Sequence, residues 1–220
     1  MGEAYMELIL IRHGQSYVNV DDWQQLDTMD TVLTERGNQQ AAALRDWLTE
    51  QNPTVDALYA STMRRTRETA QYVSEGLGIA PIFDDRIREF GNSHHDGQPI
   101  VEEALPRVYS NKRTNEAPFT SAVTDIENGE SWMHFRIRIG QFIHDIYDKH
   151  PNQTVYVVAH GGVISAVFDL VFNVGSYKQN GVTTENTGWT RFKYHPNESF
   201  ADWILYDHNR VDHLAKAGLL

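Results

Sequence analysis

The stretch Met6-Glu7-Leu8-Ile9-Leu10-Ile11-Arg12-His13-Gly14-Gln15-Ser16 decides how the rest of the chain is read. Residues 6 to 11 are almost continuously apolar and too few for a core helix, the pattern of a strand buried on both faces of a parallel sheet. The run ends abruptly in an arginine, a histidine and a glycine. Open α/β sheets bind ligands beyond the carboxyl ends of their strands, so Arg12 and His13 stand where a site would form. A second apolar run, Val155-Tyr156-Val157-Val158-Ala159, ends the same way in His160-Gly161-Gly162.

Working outward, Ser16 to Thr31 is polar and without period, and reads mainly as loop. Thr34 is a suitable N-cap for a helix with Gly37, Ala41, Leu44 and Leu48 on one face, stopped by Asn52-Pro53. Asp56 to Ser61 reads as a strand. Thr62 is expected to cap a helix carrying Met63, Thr66, Ala70, Val73 and Leu77, which ends at Gly76 and Gly78. Arg64, Arg65 and Arg67 crowd its first turn, where the helix dipole favours acids, so something there should want positive charge. Pro81 to Asp84 reads as a short strand. From Gly91 to Gly129 periodicity is lost, and the stretch is taken as an insertion of about 91–130 within one domain spanning 1–220. A helix from Ser131 with the stripe Trp132, Phe135, Ile139, Phe142, Ile143 and Ile146, a strand at 154 to 159, a helix at 163 to 172, and a hairpin-like pair at 189 to 194 and 201 to 206 complete the reading. Strand and helix alternate for much of the chain, which predicts an α/β fold: a mainly parallel central sheet between two layers of helices. Right-handed crossovers then gather Arg12, His13, Ser61 to Arg65, Glu89 and His160 at one sheet edge.

Composition narrows the chemistry. The 220 residues contain 40% hydrophobic and 22% charged residues, ordinary globular values. There is no cysteine, which removes disulfides, thiolate nucleophiles and zinc-thiolate sites together. No signal-peptide pattern or membrane-spanning run is present, so the default compartment is the cytoplasm. A formal charge of -11 argues against nonspecific binding to nucleic acid or acidic membrane, both of which need a basic surface. Small anions remain compatible, since arginines focused in a cleft attract phosphate locally.

The gathered residues suit phosphate. Two arginines present fork-shaped, permanent charge to phosphate oxygens, and two histidines can serve as nucleophile, acid, base or donor. Without cysteine, histidine is a reasonable covalent nucleophile for phosphorus, and Glu89 could protonate a leaving alkoxide. Asp96, Glu102 and Glu103 are alternatives for that acid if the insertion folds over the site. His94 and His95 read as solvated loop residues, Arg64 and Arg67 as solvent-facing, and Lys112 and Arg113 as a loop pair.

The segment Ile11-Arg12-His13-Gly14-Gln15-Ser16 with Asn19 resembles the signature of the histidine phosphatase superfamily, in its phosphoglycerate mutase-like branch 1. Leu33-Thr34-Glu35-Arg36-Gly37 with Gln40-Ala41, Ala60-Ser61-Thr62-Met63-Arg64-Arg65-Thr66-Arg67-Glu68-Thr69-Ala70, Arg88-Glu89-Phe90-Gly91, Gly129-Glu130-Ser131 and Val158-Ala159-His160-Gly161-Gly162 resemble further family elements in the same order. The resemblance implies a phosphoglycerate mutase-like three-layer α/β/α sandwich, its insertion lying over the carboxyl edge of the strands. It implies a phosphate monoesterase that needs no metal or other cofactor and works through phosphohistidine on His13. Arg12, Arg65 and His160 then hold the phosphoryl oxygens, with Asn19 and Gly161 assisting, and Glu89 is the proton donor. In this register Arg65, not Arg64, is the phosphate arginine, and Thr66 replaces the usual alanine as a small packing change. The cofactor-dependent mutases carry Arg and Tyr shortly after the glutamate; here Phe90-Gly91-Asn92 follows. A phosphoglycerate-type mutase is the alternative, and a non-catalytic phosphate-binding scaffold is a further one. The expected partner is a small phosphorylated substrate or a phosphoprotein, not nucleic acid or membrane, and exposed apolar residues of the late hairpin would suit a homodimer.

Overall fold

The computed structural model describes residues 5–20, 29–91, 130–175, 181–195 and 202–220. Residues 92–129 of the insertion, with Asp96, Glu102, Glu103, His94, His95, Lys112 and Arg113, lie outside them. Six strands form one sheet in the order β3-β2-β4-β1-β5-β6, where β1 is Met6–Arg12, β2 Ala57–Ser61, β3 Pro81–Asp84, β4 Thr154–Ala159, β5 Trp189–Tyr194 and β6 Trp203–Arg210. The first four are mutually parallel, and β5 and β6 add an antiparallel edge beside β1. The expected mainly parallel three-layer fold is therefore present, and the late hairpin is part of the same sheet.

The near-continuous apolar strands are explained by cover on both sides. Leu8, Leu10, Tyr59, Val155 and Val157 face α3 (Trp132–Lys149) and α4 (Gly161–Val171), packing on Phe135, Ile139, Phe142, Ile146, Ile164 and Val167. Ile9, Ile11, Leu58, Ala60, Tyr156 and Val158 face α1 (Glu35–Gln51) and α2 (Arg64–Leu77), packing on Leu44, Leu48, Ala70 and Val73. Each such fully buried side chain stabilises the fold by roughly 1.5–3 kcal/mol relative to exposure. Among the described residues no helix is long and apolar enough to cross a membrane.

Three local expectations change. Thr34 caps α1 as anticipated, accepting from Gly37 N at 3.0 Å. Thr62, however, does not cap α2; the N-cap is Met63, which makes no side-chain cap bond. The Thr62 hydroxyl instead donates to Asp85 Oδ1 at 2.6 Å and accepts from Arg88 Nη1 at 3.0 Å. The helix end is served by Asp30, whose Oδ1 accepts from Arg64 N at 2.7 Å. Thr66 also does more than fill space, since its buried hydroxyl lies 2.6 Å from Met63 O and 3.0 Å from Ser61 O and donates across the strand-to-helix turn. Finally, α4 begins at Gly161, two residues before the expected start, and β6 continues to Arg210 and leads into a short helix not anticipated, α5 (Asp212–Ala217).

The segment after β1 crosses the start of α1 at backbone contact. A Cβ on Gly37 would lie 1.9 Å from Gln15 O, and one on Gly14 would lie 2.6 Å from Gly37 O. Glycine is thus required by close approach. Gly37→Ala would normally gain up to about 1 kcal/mol of helix propensity. Here it should instead lose about 1–3 kcal/mol by overpacking against backbone, read as a lowered urea midpoint.

Candidate active site

The register of β1 and β4 builds the centre. Arg12 pairs with Ala159, and His13 N donates to Ala159 O at 3.0 Å, so the next residues, His13 and His160, emerge side by side. Their rings lie 5.2 Å apart, edge to face, and both are buried. His13 Nδ1 is 2.7 Å from Gly14 O. A carbonyl only accepts, so Nδ1 carries the proton and Nε2 keeps its lone pair. That lone pair accepts from Arg65 Nε at 3.1 Å. His160 Nε2 meets Ser61 Oγ at 2.9 Å, and its Nδ1 has no hydrogen-bond partner among the described residues.

The arginines sort as expected. Arg65 turns inward from α2 and is 2% exposed, whereas Arg64 and Arg67 are solvent-facing. Arg65 is held by Met29 O at 2.7 Å and by Met63 Sδ at 3.5 Å. Arg12 donates from Nη1 to Thr184 O, and its buried Nε has no partner among the described residues. Gly161 stands beside it: a Cβ there would be 3.7 Å from Arg12 Nε.

Glu89 also reaches this edge. Its Oε2 accepts from Gly162 N, in the first turn of α4, at 3.1 Å, and its Oε1 accepts from Phe90 N at 2.8 Å. Carboxylates are favoured at such helix N-termini. The approach requires glycine, because a Cβ on Gly162 would lie 2.1 Å from Glu89 Oε1. Arg138 on α3 fixes the Glu89 backbone, donating to the carbonyls of Arg86, Arg88 and Glu89 and pairing with Glu130. Glu130 in turn accepts from Gly91 N at 3.0 Å.

Asn19 sits in the turn Tyr17–Asn19, where its Oδ1 accepts from Ser16 N and Ser16 Oγ, both at 3.1 Å. It is connected to the centre through Asn186, whose Nδ2 donates to His13 O at 3.0 Å and approaches Asn19 Oδ1 at 3.4 Å. Sequence reading missed this loop before β5, together with Arg138, Asp30 and Thr69, whose Oγ1 accepts from Gly14 N at 3.1 Å. Arg138 had one local signal, a charge set among the apolar stripe of α3.

Burial and surrounding charge set the protonation states at the centre. Burial first, then Arg65 and Arg12, push His13 well below the usual imidazole range; burial, then Arg65 and His13, do the same for His160. Burial lowers Arg65 to about 10, with Glu89 and Asp30 opposing the drop, so it stays cationic near neutrality. For both histidines the folded pKa lies below the unfolded one, near 6.5. The unfolded state therefore binds more protons below that pH, and stability present above about 6.5 is lost as pH falls. We expect urea midpoints to fall between pH 8 and pH 5, with His13→Gln showing a shallower decline.

Comparison with known proteins agrees with this geometry. The family model for histidine phosphatase superfamily (branch 1) matches residues 8–204. Phosphoserine phosphatase 1 of Hydrogenobacter thermophilus is 32% identical over 171 residues, covering 77% of each chain. The metal-independent phosphoserine phosphatase of Arabidopsis thaliana is 26% identical over 220 residues, 97% of this chain and 85% of the relative. The solved structure of Bacillus stearothermophilus YhfR shares the fold, with TM-score 0.74, 24% identity, and coverage of 95% of this chain and 99% of the other. A sheet that ends two parallel strands in paired histidines, with a buried arginine between them and α2, thus accompanies a family match over nearly the whole chain, which belongs to branch 1 of the histidine phosphatase superfamily.

Proposed function

We propose that the protein is a phosphoric monoester hydrolase in which His13 Nε2 is the nucleophile. One observation carries the reading: the Gly14 carbonyl fixes the His13 tautomer so that a lone pair is directed among Arg12, Arg65 and His160. Buried atoms on Arg12 and His160 that have no partner among the described residues add to it. If the Ser61 hydroxyl donates to His160 Nε2, then Nδ1 carries a proton and offers a donor to a phosphoryl oxygen, as Arg12 Nε does. Phosphoryl transfer depends mainly on positioning and on stabilising charge over the equatorial oxygens, and these groups supply both.

In the first step Nε2 attacks phosphorus in line, the P–O bond to the leaving group breaks, and Glu89 gives that oxygen its proton. In the second, a water gives a proton back to Glu89 and its oxygen attacks phosphorus. The P–N bond breaks, and inorganic phosphate leaves. Glu89 suits both steps because Gly162 N and the Arg138 clamp hold it at the same edge, where its charge acts on Arg12 and Arg65. Arg12, Arg65 and His160 bind the phosphoryl oxygens, with Gly161 allowing close approach and Asn19 supporting the loop. Two relatives named phosphoserine phosphatases make phosphoserine the first substrate to test.

Hydrolysis of phosphoserine and of p-nitrophenyl phosphate should persist in EDTA, and acid-labile phosphate should be trapped on the wild type. His13→Ala should lose both, and retained turnover would sink the mechanism. Conversion of 3-phosphoglycerate to its 2-isomer, exceeding hydrolysis, would instead favour a mutase. Gly162→Ala, by displacing Glu89, should lower kcat by on the order of tenfold to a hundredfold while inorganic phosphate still binds.

A further inference from the structure

We propose that His213 is a positioning residue for phosphoryl transfer, acting through Thr187 on the backbone that carries Arg12 and His13. The inference rests on the reading of His13 as nucleophile. It starts from a topological fact. Because β5 runs antiparallel to β1, with Trp189 opposite Ile11, the loop entering β5 sits at the same edge as the end of β1. Because β6 runs antiparallel to β5, with Arg210 opposite Trp189, the corner between β6 and α5 reaches that edge as well.

Past Ile11, β1 has no further partner in β5, and the loop takes over on that side. Arg12 N donates to Gly188 O at 3.1 Å, and Thr187 N lies 3.0 Å from Arg12 O and 3.3 Å from His13 O. To aim its N–H there, Thr187 adopts φ of +59°. A left-handed conformation is unfavourable for a residue with a side chain, and it is a genuine outlier for a β-branched one. Such a conformation persists only where the surroundings over-determine it.

The surroundings do so here. The Thr187 hydroxyl has one proton, and its 2.6 Å contact with Asn186 O uses it, because a carbonyl cannot donate. Toward His213 Nε2, at 2.8 Å, Thr187 can therefore only accept, which assigns the His213 proton to Nε2. Thr187 and His213 are 0% and 1% exposed, so no water competes for the bond. Burial lowers His213 to about 4, and it stays a neutral donor near neutral pH. The same corner shapes the rest of the loop. Asn209 Oδ1 accepts from Glu185 N at 2.7 Å and would stand 2.4 Å from a Cβ on Gly188. Nothing in this set touches a reacting atom; its effect on catalysis passes through the carbonyls of Arg12 and His13.

The competing description is a histidine that merely anchors α5. Four variants separate the two: His213→Phe keeps a ring without the donor, His213→Gln restores an N–H, Thr187→Val removes the hydroxyl while keeping the branch, and the double variant H213F/T187V closes the cycle. With p-nitrophenyl phosphate, kcat/KM of folded H213F should fall on the order of tenfold to a hundredfold. Phosphorylation of His13 should slow in parallel, and H213Q should recover most of the loss. T187V should match H213F, and the double variant should be no worse than either. Wild-type rates in folded H213F with only a lowered Tm, or no rescue in folded H213Q, would overturn the proposal. If H213F does not fold, T187V decides on the same scale, a wild-type rate overturning it. Failure of the wild type to phosphorylate His13 would be a separate result, removing the underlying reading and the proposal with it.

Discussion

The structure depends first on the parallel pairing of β1 with β4, because its last rung, His13 N to Ala159 O, sets two histidines from opposite ends of the chain side by side. A slip of one residue would send one ring to the other face of the sheet. Hydrophobic alternation cannot prevent that slip, since both faces are apolar; Ile9 and Ile11 are as well buried as Leu8 and Leu10. The polar ends mark the register instead, with Glu7 N on Gln153 O at one and His13 N on Ala159 O at the other.

Much of this was legible in the sequence, for a physical reason. A doubly covered strand must be apolar throughout and can change character only where it meets the site, so Ile11-Arg12-His13-Gly14 and Ala159-His160-Gly161-Gly162 mark their own ends. Arg65 was separable from Arg64 through the register of the resembled motif, and the physical basis is that Arg65 lies on the inward face of α2 with Thr69 and Val73. Thr62 was misread because capping preference is local, while its hydroxyl is claimed by Asp85 and Arg88 from a distant turn. Asp30 and the loop of Thr184 to Gly188 were not legible at all, and Arg138 showed only as a charge set among an apolar stripe. Their partners are backbone groups set by tertiary structure, and polar residues on loops carry no period.

The electrostatics reverse the sign of the molecule locally. A chain of charge -11 keeps at its centre a buried arginine, Arg65, a partly buried one, Arg12, and two histidines held neutral by burial and by the neighbouring cationic charge. Neutrality preserves the lone pair on His13, and the cationic surroundings favour the anion it would attack. Glu130 pairs with Arg138 within the same wall, so the clamp that holds Glu89 is itself an ion pair.

The placement of β1 also bears on how the molecule is made. An early strand is flanked in the sheet by two late ones, β4 and β5, and the end of that strand is held by a loop that is itself held from α5. Such distant pairings are slow to form, because long loops must close before any contact rewards them. On a ribosome, the segment bearing His13 would emerge long before its neighbours and wait without them. On the proposed reading the pocket is completed only as the last helix docks, and a chain cut short before residue 213 would carry Arg12, His13, Arg65 and His160 and still lack the contact that holds Thr187.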